Sequence, residues 1–129
     1  SGGMDETFRK RMEENGADVE TTLKRFMGNE KMYMKYIMKF LDDKNFDSIR
    51  ENLKSQNYEA VFNAAHTLKG VTANLGLNPV NTAAAEISEL LRGKAAAEVN
   101  VEKVNAVFLE LSESYERFRK ILEANKPQT

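Results

Sequence analysis

Asn57-Tyr58-Glu59-Ala60-Val61-Phe62-Asn63-Ala64-Ala65-His66-Thr67-Leu68-Lys69-Gly70-Val71-Thr72-Ala73-Asn74-Leu75-Gly76 carries helical periodicity from end to end. Tyr58, Val61, Ala65, Leu68, Thr72 and Leu75 step by three and four residues, which puts them on one helix face. Asn57 supplies an N-cap and Gly76 a stop. At about 100° per residue, His66 lies roughly 130° from the middle of the apolar stripe. It therefore points away from the core side of its own helix. Glu59, Phe62, Lys69, Gly70 and Ala73 share or flank its side.

Gly70 is out of place. Six of the seven glycines fall in the N-terminal tail or at helix ends, and Gly70 alone falls inside a helix. An interior glycine costs about 0.8–1 kcal/mol relative to alanine. Either a neighbouring helix packs closely there, or something from outside must approach the backbone. The spacing of His66, Lys69 and Gly70 gives one face an imidazole, an ammonium and a bare patch of backbone.

Outward from this helix the chain reads as helical almost everywhere. Its two prolines stand at 79 and 127, and β-branched runs are absent. A short first helix covers about Asp5 to Glu13, and Asn15-Gly16 turns the chain. Asp18 caps a helix to about Met27. Helices follow over about Glu30–Asp42 and Asn45–Ser55, as two elements or one bent one. After Gly76, Asn78 is expected as N-cap with Pro79 at the first helical position. That helix runs to Arg92 and stops at Gly93, and a last one starts near Asn100 and ends near Ala124. Short connections between long helices imply antiparallel neighbours, hence an all-α, up-down four-helix bundle with additional short N-terminal helices. Residues 1–3 read as a cloning remnant, 4–17 as an N-terminal helix and turn, 18–125 as the bundle, and 126–129 as a tail.

On the segment 32–41, Tyr33, Ile37 and Phe40 form one buried seam, and Tyr36 is read as core too. Met34 and Met38 fit either a broad core face or an adaptable docking patch. In the last helix, Val104, Val107, Phe108, Leu111, Tyr115, Phe118, Ile121 and Leu122 keep the helical period.

Composition narrows the function. Of the 129 residues 41% are hydrophobic, which argues against disorder; 30% are charged, yet the formal net charge is −1. No basic stripe favours nucleic acid. There is no cysteine and a single histidine, so disulfides and thiolate metal sites are excluded. No apolar run approaches a membrane span and no signal peptide is evident, so a cytoplasmic setting is expected. Neither glycine-rich phosphate loop occurs, so the chain is not expected to be a stand-alone kinase.

A neutral imidazole nitrogen is a good nucleophile and can hold a phosphoryl group as an N–P bond. Lys69, one turn on, places positive charge near the phosphate oxygens, and Gly70 removes bulk. Nothing here would activate water, so the group should be passed on rather than hydrolysed quickly.

These residues carry a resemblance. His66-Thr67-Leu68-Lys69-Gly70, followed by Asn74-Leu75-Gly76, is similar to the motif of the histidine-containing phosphotransfer (HPt) domain family. Leu23-Lys24-Arg25-Phe26-Met27-Gly28-Asn29-Glu30, Phe40-Leu41 and Asn57-Tyr58-Glu59-Ala60 resemble its flanking segments, so that roughly residues 18–124 fit. The resemblance implies a four-helix bundle that carries phosphate between aspartates of response-regulator receiver domains, one of them possible within a hybrid histidine kinase. It implies His66 as the phosphorylated residue, Lys69 as phosphate-side cation and Gly70 as clearance. It implies no cofactor on this chain, with magnesium only in the partner receiver domain. A monomer is expected, without nucleic acid or membrane partners.

Secondary site candidates are Ser88, Arg92, Phe62 and Ala73. Many family members carry Glu or Gln at the position of Ser88, and serine is shorter. Arg92, one turn later, is placed to reach toward the site. Val71 replaces the small residue often found after the glycine. Other readings are a non-catalytic adaptor with a degenerate HPt fold, the phosphorylated domain of a larger chemotaxis-type kinase, and a haem carrier ligated by His66 and a methionine.

Overall fold

A computed structural model describes residues 4–127. The expected cloning remnant, residues 1–3, lies outside the described residues, as do the last two of the tail. Among the described residues the elements are α1 (Glu6–Glu14), α2 (Val19–Arg25), α3 (Glu30–Lys39), a 3-10 turn (Phe40–Asp42), α4 (Asn45–Lys54), α5 (Tyr58–Leu75), α6 (Asn78–Leu91), a second 3-10 turn (Ala96–Glu98) and α7 (Val101–Ala124). The fold is all-α; the only β pairing among the described residues is an isolated bridge between Ala17 and Leu77.

Local chemistry accounts for most of the boundaries. Carboxylate or amide side chains of Asp5, Asp18, Asn29, Asn57 and Asn100 each accept from a backbone N–H in the first turn of the helix they precede. Each such bond satisfies an orphan donor. Gly76 ends α5 in the left-handed conformation, φ +71°.

At α3–α4 the structure takes the first of the two readings, and at α6 the expectation changes. α3 and α4 are separate helices, because the 3-10 turn ends in extended backbone at Asp43. At α6 the N-cap is Leu77, and Asn78 is already the first helical residue. Leu77 is fully buried, and its amide donates to the Thr72 carbonyl at 3.0 Å. That anchorage sets the helix start one residue earlier, and Pro79, lacking an N–H, adds no orphan donor to the first turn.

α5 packs between α4 and α6, α6 packs on α7, and α1 reaches across to α7. Val61, Ala64, Ala65, Leu68, Thr72 and Leu75 form the buried face of α5, while Tyr58 is only half-buried. The alanine pairs Ala64–Ala65 and Ala83–Ala84, all buried, let α5 and α6 approach closely. Larger side chains fill the remaining interior, among them Phe8, Met12, Tyr33, Ile37, Ile49, Ile87, Leu111 and Phe118. Burying each of the Ile, Leu, Met and Phe side chains among these contributes about 1.5–3 kcal/mol.

The seam Tyr33–Ile37–Phe40 is buried as expected. Tyr36 is not core: it is 40% exposed and stacks on Phe26, ring centroids 5.5 Å apart. The Lys39 ammonium lies 5.0 Å from its ring centroid. Met34 and Met38 are half-buried against the core, and Met32 is exposed.

The N-terminal segment braces the α5–α6 corner. The Asp18 amide donates to the Gly76 carbonyl at 2.8 Å. Thr22 is fully buried, and its hydroxyl donates to the Asp18 carbonyl at 2.7 Å. The end of α5 is therefore held by α2 rather than left to fray.

Candidate functional site

The 18-residue α5 presents His66, Lys69 and Gly70 on the side opposite its core stripe. His66 is exposed, Lys69 half-buried and Gly70 exposed. Partial burial of Lys69 covers its aliphatic stem. Lys69 makes no ion pair with any described residue. Its ammonium is free to meet an anion from outside.

Close packing of a neighbouring helix does not account for Gly70. A Cβ built at Gly70 would meet nothing within 4 Å beyond its own helix. Gly70 is helical, and its φ is not in the left-handed region that the glycines at 16, 28, 76 and 93 occupy. Neither neighbouring helices nor backbone conformation requires the missing side chain. Gly76 is the opposite case: its φ is positive, and a Cβ would collide with Thr22 Oγ1 and lie 2.7 Å from the Asp18 carbonyl oxygen.

The secondary candidates divide. Phe62, one turn before His66, stacks on the imidazole with centroids 5.9 Å apart and planes 19° apart. Arg92 comes from the end of α6 and sets its guanidinium carbon 5.2 Å from the Phe62 ring centroid. Its Nε donates to Glu89 Oε1 at 3.1 Å. Arg92 thus reaches the Phe62 side of the site. Ser88 is fully buried, its hydroxyl has no protein partner among the described residues, and it makes no hydrogen bond to His66. Ala73 is exposed and contributes its carbonyl, which accepts from Arg25 Nη1 at 2.6 Å.

Two supporting side chains were not foreseen. Arg25, in the last turn of α2, also donates to the Asn74 carbonyl at 3.1 Å. Asn81 of α6 donates through Nδ2 to the Lys69 carbonyl at 2.7 Å. Together they hold the α5 backbone on both sides of Gly70. Asn81 leaves one trace in the sequence, an amide inside the apolar run of α6; Arg25 leaves none, because its partners belong to a distant helix end.

Among the described residues no three His, Asp or Glu side chains gather as a metal site would need, and no helix is long and apolar enough to cross a membrane. What remains is an exposed imidazole on a long helix, with a cation one turn away and open space at Gly70. A family model described as Hpt domain matches residues 40–122, more than half of the chain. No curated protein and no solved structure matches the chain. The chain belongs to the Hpt domain family, whose members carry out histidine phosphotransfer in phosphorelays and interact with receiver domains of response regulators. The match opens at Phe40, so α1, α2 and α3 lie before it.

Proposed function

We propose that the protein is a phosphorelay intermediate in which His66 accepts a phosphoryl group from a receiver-domain aspartyl phosphate and passes it to a second receiver domain. A ring nitrogen of His66 attacks phosphorus with its lone pair. The N–P bond forms as the acyl O–P bond breaks, and the aspartate carboxylate leaves with the bonding electrons. The second transfer repeats this in reverse on another aspartate. Lys69 stabilises charge on the phosphate oxygens, and Gly70 gives the incoming domain room. Magnesium belongs to the receiver's site. The protein acts as a monomer, and α4 to α7 form the antiparallel four-helix unit that displays α5.

The observation that carries this reading is the open space at Gly70 beside an exposed His66. The fold has no use for that glycine, whereas a docking partner does. Beside this face, Tyr36, Lys39, Phe40, Val71, Asn74 and Leu75 help to line a groove of about 480 Å³. The partner's apolar side chains anchor there. Interfaces of this transient kind are small, below about 1,200 Å².

The test is incubation with a panel of receiver domains, each carrying labelled phosphate on its aspartate. The reading expects at least one to hand its label to this chain and a second to take it away. An adaptor without chemistry would bind and acquire no label.

A further inference from the structure

Resting on the reading of His66 as the phosphoryl carrier, we infer that Phe62, clamped by Arg92, is a positioning residue that fixes the orientation of the His66 ring for transfer. An exposed histidine on a helix is ordinarily free to change rotamer on a ps–ns timescale. Only some of its orientations point a nitrogen at an incoming phosphorus. Near-attack geometry therefore has to be selected from that ensemble.

The structure supplies a selector. His66 and Phe62 are four residues apart on α5, so their side chains lie one above the other. Their planes are 19° from parallel at a centroid separation of 5.9 Å. The offset stack covers part of one imidazole face and leaves His66 exposed to a partner. Phe62 is half-buried and is itself held on the α6 side, where the Arg92 guanidinium lies over its ring. Arg92 is tied in turn to Glu89. The order from α6 to the site is Glu89, Arg92, Phe62, His66. Three side chains on two helices thus restrain one ring that has no hydrogen-bond partner of its own among the described residues. Neither Phe62 nor Arg92 needs to touch the phosphoryl group for this role.

Stacked aromatic pairs contribute enough to change the population of the held rotamer by about two- to tenfold. Phe62→Leu keeps an apolar side chain against α6 and removes the stacking plane. It is expected to lower the saturated single-turnover transfer rate by about two- to tenfold, with the partner concentration at half-saturation unchanged. Phe62→Tyr keeps the plane and is expected to restore the rate. Arg92→Gln is expected to give part of the Phe62→Leu loss. In the unphosphorylated protein, the carbon-bound ring protons of His66 should show ring-current shifts in the NMR spectrum that Phe62→Leu abolishes. Unchanged ring-proton shifts in Phe62→Leu would mean that the stack is not populated, and the inference falls. It falls equally if Phe62→Leu transfers at the wild-type rate, if only half-saturation moves, or if Phe62→Tyr is as slow as Phe62→Leu. A wild-type chain that takes no phosphate from any receiver domain would instead overturn the proposed function, while the NMR shifts would still report on the stack.

Discussion

Replacing Gly70 separates what the fold needs from what transfer needs. In the free protein a Cβ at this position meets nothing within 4 Å, and the backbone there is helical. Gly70→Ala therefore recovers the helix-propensity difference with no steric penalty, a gain of about 0.8–1 kcal/mol. For a domain of this size that raises Tm by roughly 3–5 °C. Gly76→Ala is the control: a positive φ and a collision with Thr22 and Asp18 make it destabilising by more than about 1 kcal/mol. Transfer should move the other way at Gly70. A longer side chain stands in the space where the partner must approach, and a displacement of about 1 Å can cost roughly a hundredfold in rate. Gly70→Gln should therefore keep or raise stability and slow transfer by about a hundredfold or more, with Gly70→Ala in between. Thermal denaturation followed by circular dichroism reads the first effect, and rapid-quench transfer from a phosphorylated receiver domain reads the second. A destabilised Gly70→Ala would show that the fold needs the glycine after all. Wild-type transfer by Gly70→Gln would show that the partner does not pass over this spot.

Lys69→Gln removes the free ammonium while keeping most of the stem; we expect transfer to slow by about tenfold to a hundredfold with Tm nearly unchanged, measured in the same two assays. The buried Tyr33 hydroxyl has no hydrogen-bond partner among the described residues, and burial pushes its pKa up to about 12. The folded state holds that proton more tightly than the unfolded one, so this contribution is intact below about pH 10 and fades as pH rises toward 12. Tyr33→Phe should raise stability at pH 7 by about 1–3 kcal/mol and remove that alkaline loss, as urea unfolding at pH 7 and pH 11 will show. At the other extreme, hydrogen bonds from Thr21 hold the Asp18 carboxyl below its ordinary range. Its contribution is present above the unfolded-state pKa and is lost as pH falls through the lower folded-state value. The stability gap between the wild type and Asp18→Asn should therefore narrow in acid, and an unchanged gap in urea unfolding at pH 7 and pH 3 would contradict the capping role.

How much could be read beforehand depended on how local the determinants were. The limits of α5 follow from Asn57, the apolar stripe and Gly76, all adjacent in the chain, and the exposure of His66 follows from 3.6-residue geometry alone. Tyr36 was misread because α3 carries apolar residues around most of its circumference. Which one stays outside is decided by Phe26, which arrives from another element. The start of α6 moved by one residue because burial of Leu77 outweighed the N-cap preference of Asn78. At the site, the His66–Phe62 pair is visible as an i, i+4 spacing. Arg92 above it, Asn81 on the Lys69 carbonyl and Arg25 on the end of α5 depend on how helices meet in space. The vacancy beside Gly70 is likewise a tertiary fact, since the sequence favoured clearance but left close packing as the alternative.

The most direct measurement is to locate the phosphate after labelling by a receiver domain. Peptide mapping by mass spectrometry under alkaline conditions should place it on His66, the mark should be stable to base and labile to acid, and His66→Gln should take up none while remaining folded. A phosphate mapped to any other residue, or undiminished labelling of His66→Gln, would contradict the account.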